Sequence, residues 1–361
     1  MKTRTTVALL AVAAVGLLLA EGAVRARQWV ITGRSGAIND ALTIDPHTGL
    51  RSLVPNFDRG RIRINALGFR SPDLAAPKPA GVVRLAFLGG STTYCAEVSG
   101  NELTWPHLVW HGLSAALPTV RFDYVNAGVP GYTFDSILQA FRKRVQPLRP
   151  DVVVIYEATN DLAMDSRQLA REQQLVTDTP EPAFWLARHS LLWLLLEKNI
   201  SIARLQASAD GTTGKLAFDP RQLSRGFEQR LRETIRAAQS VAAVVAVATF
   251  APRLRPGQSL TEQRRAAVTS LYYMPYLSLD GLLAGFAEYN RVIRAVAAET
   301  GALLIAGDDQ IPADDLHYAD SVHFRDAGSR AMAARVTQAL LAAPPFPALV
   351  SRVGATPATP H

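Results

Sequence analysis

The chain has 361 residues, 48% of them hydrophobic and 19% charged, with 38 Lys and Arg against 31 Asp and Glu for a formal charge of +7. Such length and hydrophobic content suffice for a sizeable core and exclude a disordered chain. The positive surplus is scattered and contains no basic run interleaved with stacking aromatics. That excludes a nucleic-acid-binding module, while attraction to anionic lipid or acidic polysaccharide remains compatible with it.

Lys2 and Arg4 precede an unbroken apolar stretch from Val7 to Ala20, followed by Glu21, Arg25 and Arg27. As a helix this stretch reaches only ~21 Å, which suits the apolar region of a signal peptide. Leu18 spoils a small-x-small cleavage site near Ala20, and Val24-Arg25-Ala26 is the best remaining one. Extended through Thr5, Thr6 and Gly22–Val24 the stretch gains the length of a membrane anchor, ~20 residues. Residues 1–27 are therefore expected to be an uncleaved signal-anchor or a cleaved signal segment. Either exports the body to the periplasm or cell surface, with the basic N-terminus on the cytoplasmic side.

Residues 28–80 read as a tether and cap, in which Arg61–Asn65 alternates like an edge strand and Leu67–Pro79 is a Pro-rich loop. Five buried strands follow: Val82–Leu88, Phe122–Val125, Val152–Tyr156, part of Val241–Phe250, and Ala302–Ala306. Amphipathic helical stretches separate them, such as Phe227–Gln239 and Phe286–Thr300, and Ala327–Leu341 closes the series. This alternation predicts an α/β, doubly wound parallel sheet over residues 81–345. Insertions are expected at about 162–226 and 252–280, and a flexible tail at 346–361. The first insertion carries the very apolar Ala183–Leu196, either a helix packed on the body or a lid or membrane-touching element lining an acyl pocket. The two insertions are expected to set specificity.

Ser91 stands at the carboxyl end of the first strand, presented by Gly89-Gly90. A strand-to-helix turn, a helix N-cap and an anion-cradling loop are the alternatives to a nucleophile, but no Gly-Lys-Ser/Thr follows as a P-loop needs. Gly131 lies in the loop Asn126–Tyr132 after the second strand, and Asn160 and Asp161 end the third. A Gly N–H and an Asn side-chain amide serve as oxyanion donors, though a Gly-Pro turn and an N-cap explain them equally. Asp320 precedes His323 by three residues, as a base and its orienting partner require. Asp314 and His317 repeat that spacing, and only position relative to the final helix favours His323. Cys95, the single cysteine, reads as a packed small hydrophobe rather than a second nucleophile. No cluster has metal-ligand spacing, so neither a metal nor a cofactor is expected.

Gly-Gly-Ser-Thr-Thr (89–93), Asn-Ala-Gly-Val-Pro-Gly-Tyr-Thr (126–133), Ala-Thr-Asn-Asp (158–161) and Asp-Ser-Val-His-Phe (320–324) together resemble, in order and spacing, the four blocks of the SGNH (GDSL-type) serine hydrolases. The resemblance implies a flavodoxin-like five-stranded parallel sheet in three α/β/α layers. It makes Ser91 the nucleophile, His323 the base, Asp320 its orienter, and the Ser91 amide, Gly131 and Asn160 the oxyanion donors. The first block usually reads Gly-Asp-Ser, and Gly90 stands here in place of the Asp. That form looks like a Gly-Gly-Ser-Thr-Thr subgroup often attached to the membrane. The third block usually has Gly where Ala158 adds a methyl beside the site. The expected activity is extracytoplasmic hydrolysis of an acyl or acetyl ester through a Ser acyl-enzyme, rising with pH near an unperturbed His value of about 6.5. Its substrate would be an ester-bearing small molecule, a lipid or an acylated glycan. An O-acyltransferase for an envelope polysaccharide and a non-catalytic glycan- or lipid-binding protein are the alternatives.

Overall fold

The computed structural model describes residues 2–32, 41–46, 48–176, 190–208 and 215–354. Helix α1 (Lys2–Thr32) leads into two small antiparallel hairpins, β1 (Leu42–Ile44) with β2 (Arg51–Leu53), and β3 (Asp58–Arg59) with β4 (Ile62–Arg63). The sheet proper consists of β5 (Val82–Gly89), β6 (Arg121–Asn126), β7 (Val152–Tyr156), β8 (Val244–Ala248) and β9 (Leu303–Ile305), all parallel, in the order β6-β5-β7-β8-β9. Every residue of β5, β7 and β8 is buried. Only strands covered on both faces tolerate such continuous Val, Ile and Leu. Counted along the sheet strands alone, the order is the flavodoxin-like 2-1-3-4-5.

Helices cover both faces. On one lie α3 (Trp105–Ala116), α10 (Asp326–Ala342) and α11 (Pro345–Gly354), the last two following β9; on the other lie α4 (Phe134–Ala140), α5 (Thr159–Glu172), α7 (Pro220–Gln239) and α9 (Leu279–Thr300). The numbering also includes α2 (Ser91–Tyr94), α6 (Leu191–Ser208) and α8 (Leu260–Tyr273). Local chemistry starts several of them. Thr104 caps α3 through the His107 amide, Asp219 caps α7 with Pro220 at its first position, and Ser259 with Glu262 forms a capping box on α8. Arg84, the charge that interrupts β5, is fully buried and held by four hydrogen bonds. Its Nε and Nη2 reach Asp123 at 2.8 and 2.6 Å, Nη2 also donates to the Ala75 carbonyl, and Nη1 donates to that of Leu148.

Two expectations change. Residues 61–65 are no edge of the sheet: only Ile62–Arg63 is strand, paired to Asp58–Arg59 across a turn at Gly60, φ +61°. Of the tail expected at 346–361, residues up to 354 are helix, because Phe346, Leu349 and Val350 are buried and Phe346 stacks on Phe122, and 355–361 lie outside the described residues. Within Ala183–Leu196, residues 183–189 lie outside the described part, and α6 packs against α1 and α8, as the packed-helix reading expects. The carboxylate of Glu21 on α1 accepts the amides of Leu191 and Leu192 and the Ser190 hydroxyl, so it closes the N-terminus of α6. Along α1 the side chains of Leu9, Val12, Val15 and Leu17–Leu19 are more than half exposed. Among the described residues no helix is long and apolar enough to cross a membrane.

Candidate active site

Strand order alone gathers the polar blocks. Crossovers leave β5 in opposite directions to β6 and β7, which makes this the switch point where a cleft opens at the strands' carboxyl ends. Ser91 follows β5 directly, Gly131 follows β6, and Asn160 sits in the first turn of α5 after β7.

Gly89 is required by close approach, since a Cβ there would stand 2.3 Å from the Tyr156 carbonyl oxygen of the neighbouring strand. Amides of Thr93 and Tyr94 return to the Gly90 carbonyl at 3.2 and 3.0 Å, closing the short turn that Ser91 opens. As a first helical residue Ser91 has no intrahelical acceptor for its own N–H, which therefore stays at the mouth of the turn. Arg70, fully buried, holds the far end. It donates to the carbonyls of Tyr94 (2.9 Å), Cys95 (2.5 Å) and Arg61 (3.0 Å) and to Asn101 Oδ1 (3.0 Å), with its guanidinium 5.1 Å from the Tyr94 ring centroid. Nothing in the sequence pattern marked Arg70. Cys95 is buried, and burial pushes its thiol up to about 12, which suits a packed side chain.

Asp320 Oδ1 accepts the amides of Val322 and His323, both at 2.9 Å, while Oδ2 meets His323 Nδ1 at 2.8 Å. The aspartate thus folds the loop around itself and aims the ring. On its other side His323 Nε2 lies 2.7 Å from Ser91 Oγ, a contact across 232 residues of sequence. Asp314 and His317 copy the local geometry, with two amides on Oδ1 at 2.9–3.0 Å and ring Nδ1 at 2.7 Å. Their ring does not meet Ser91. Burial alone would lower the His323 value, but the Asp320 hydrogen bond and the charges of Glu97, Asp320 and Glu157 outweigh it and raise it to about 9. This overturns the expectation of an unperturbed imidazole. Glu97 is itself held above the carboxylate range by burial, and its Oε2 has no partner.

Pro130 and Gly131 occupy the centre of a turn closed by the Tyr132 amide on the Val129 carbonyl (3.2 Å), with Gly131 at φ +84°. Pro followed by Gly at positive φ is the type II signature, so turn and donor readings hold together. Asn160 Nδ2 donates to the Tyr132 carbonyl at 3.0 Å, which sets its amide beside that turn and leaves its second N–H for a ligand. Asp161 lies beneath. It accepts the Phe134 amide and pairs with Arg230, both at 2.9 Å, tying α4, α5 and α7 together. Neither Asn160 nor Asp161 caps α5, whose N-cap position is Ala158. The Ala158 methyl is buried and outside the cleft lining, so it does not crowd the site as the sequence suggested.

Ser91, Gly131, Asn160 and His323 share one cleft of about 1260 Å³, walled by the two N-terminal hairpins, α5 and α8. Both expected insertions contribute described residues to it, the 162–226 segment through Ala163, Met164 and Arg167 and the 252–280 segment through Thr269, Ser270, Tyr273 and Met274. The Ser321 hydroxyl accepts the Thr269 amide at 2.9 Å and so fastens α8 to the His323 loop. Arg51, Arg59, Arg61 and Arg167 line the mouth, with Asp58 and Glu97 the acidic lining residues. Arg51 donates to the Pro130 carbonyl (3.1 Å) and its own carbonyl accepts the Tyr132 hydroxyl, so β2 is sewn to the Gly131 turn. Among the described residues no group of His, Cys, Asp and Glu could hold a metal ion.

A family model described as GDSL-like Lipase/Acylhydrolase family matches residues 87–331. No curated protein matches the chain. Among solved structures, Axe2, an acetylxylan esterase from Geobacillus stearothermophilus, is 17% identical over 73% of this chain and 94% of its own, with a TM-score of 0.41. The lipase/acylhydrolase from Enterococcus faecalis is 16% identical over 77% of this chain and all of its own, TM-score 0.42. LAE5, an alpha/beta hydrolase enzyme from the metagenome of Lake Arreo, Spain, has the same identity and TM-score over 77% and 99%.

Proposed function

The chain belongs to the GDSL-like lipase/acylhydrolase family, and from that membership we propose that it is an extracytoplasmic serine esterase that removes acyl groups from an envelope or extracellular substrate. The observation that carries the reading is the continuous line from Asp320 through His323 to Ser91 Oγ, at 2.8 and 2.7 Å. In its neutral form His323 Nε2 takes the Ser91 proton as Oγ bonds to the ester carbonyl carbon. The carbonyl oxygen becomes an oxyanion facing the Ser91 and Gly131 amides and the free N–H of Asn160. Collapse breaks the bond to the alcohol oxygen, which leaves with the proton from His323. Water, deprotonated by the same nitrogen, then releases the acid and restores Ser91.

The arginines at the mouth favour substrates that carry negative charge beside the ester, such as an acylated acidic polysaccharide or an anionic lipid. The size of the cleft also favours a second reading, in which a sugar hydroxyl replaces water and the product is a transferred acyl group. Export is supported by Lys2 and Arg4 standing before the apolar run.

Fluorophosphonate labelling located by mass spectrometry tests the chemistry. Label is expected on Ser91 with hydrolysis of p-nitrophenyl acetate, and Ser91→Ala is expected to lose about 10³-fold or more in kcat. An unlabelled, inactive wild type would return the binding-protein reading. Acetate release from acetylated polygalacturonate in excess of acetylated xylan is the outcome expected from the arginine rim. Acetyl transfer to added glycan would favour the transferase.

A further inference from the structure

Glu157 ends the β7 segment only 2% exposed, and the acyl-transfer steps above make no use of it. Its Oε1 accepts the amides of Ala158 (3.0 Å) and Asn160 (2.9 Å), so it grips the very residue whose side chain faces the cleft. Its Oε2 is buried without a hydrogen-bond partner. That oxygen lies against Gly90: a Cβ built on Gly90 would stand 2.3 Å from Oε2 and 2.5 Å from Asn160 Nδ2. Gly90 has φ −93°, which is not the left-handed region that demands glycine. A side chain at position 90 would enter space that Glu157 and Asn160 occupy.

We propose that Glu157 is a positioning residue of this site, whose carboxyl group fills the space a carboxyl at position 90 would take and thereby fixes the Asn160 amide and the Gly90-Ser91 turn for the oxyanion. The proposal rests on the acyl-transfer reading. Because a side chain at position 90 would enter this same space, a carboxyl group is expected to serve there from either of the two chain positions. Glu157 acts through Asn160 and the Gly90 peptide and does not touch the reacting atoms. Burial raises its carboxyl to about 8 against the pull of the Asn160 and Ala158 amides.

A reciprocal swap tests this with p-nitrophenyl acetate. Glu157→Ala is expected to lower kcat about 10–10²-fold with KM little changed, as when an oxyanion donor is loosened rather than removed. Gly90→Asp alone is expected to be poorly active, because its side chain enters occupied space. Glu157→Ala combined with Gly90→Asp is expected to regain at least about tenfold over the worse single variant. A merely structural role would leave the double variant at or below both. Should Gly90→Asp fail to fold, Glu157→Gln, which keeps the acceptor for both amides, is expected to hold kcat within about threefold while Glu157→Leu loses about 10²-fold. Equal activity of the Gln and Leu variants, or wild-type kcat in Glu157→Ala, would overturn the proposal. Absence of fluorophosphonate label on wild-type Ser91 would instead bring down the acyl-transfer reading, and this proposal with it.

Discussion

At the scale of single residues the site is governed by carboxyl groups around one imidazole. Asp320 orients His323 and, with the charges of Glu97 and Glu157, raises it to about 9 despite the opposing effect of burial. Only neutral His323 can accept the Ser91 proton, so activity must grow as the ring loses its own. The kcat/KM for p-nitrophenyl acetate, followed from about pH 5 to about pH 10 with spontaneous hydrolysis subtracted, is expected to rise to a midpoint near 9. A midpoint at or below about 6.5 would mean that those carboxyls do not act on the ring. Ser91 and the Asp-x-x-His spacing were legible in the sequence. Which copy faces Ser91 was read from position before the final helix and from the resemblance and not from the spacing, because Asp314–His317 and Asp320–His323 fold their loops by the same hydrogen bonds. The choice is made by tertiary placement, which the spacing does not encode.

At the scale of elements, the segment ahead of the sheet is a wall of the site and not a passive tether. Three arginines hold it. Arg51 sews β2 to the Gly131 turn, Arg144 donates to Ser52 Oγ (2.7 Å) and the Leu67 carbonyl (2.9 Å), and Arg70 joins the 61–70 stretch to the end of α2. Arg70→Met would leave the Tyr94, Cys95 and Arg61 carbonyls without their donor. Each dry acceptor costs about 1–3 kcal/mol, so a loss of at least about 3 kcal/mol in urea unfolding is expected, with slower labelling of Ser91. Unchanged stability would show that water takes over those carbonyls. The sheet strands were readable from composition because burial on both faces forces continuous apolar residues, as in Val152–Tyr156. The hairpins were not, since β3 and β4 are two residues each and lean on partners outside them, the Asn101 side chain on the amide and carbonyl of Arg63 and Arg70 on the Arg61 carbonyl. Gly90 likewise looked like a departure from pattern until Glu157 was seen beside it.

At the scale of the whole molecule, the proposed export rests on the basic N-terminus and the apolar run that follows it. Alkaline phosphatase fused after about residue 30 is expected to be active in an export-competent bacterium and inactive once Lys2–Ala20 is deleted; activity that survives the deletion would overturn the export reading. The two halves of the site are also clamped from outside it. Asp326, at the start of α10, accepts the Ser99 amide (2.8 Å) and hydroxyl (2.5 Å), and Ser329 donates to the Leu103 carbonyl (2.6 Å). Nucleophile and base, 232 residues apart, meet only when α10 docks on α3. For a chain made at roughly 5–20 residues per second, that separation is a delay on the order of tens of seconds. Throughout it the nascent chain carries Ser91 without its base, so the line from Asp320 to Ser91 is assembled only when the last part of the chain arrives.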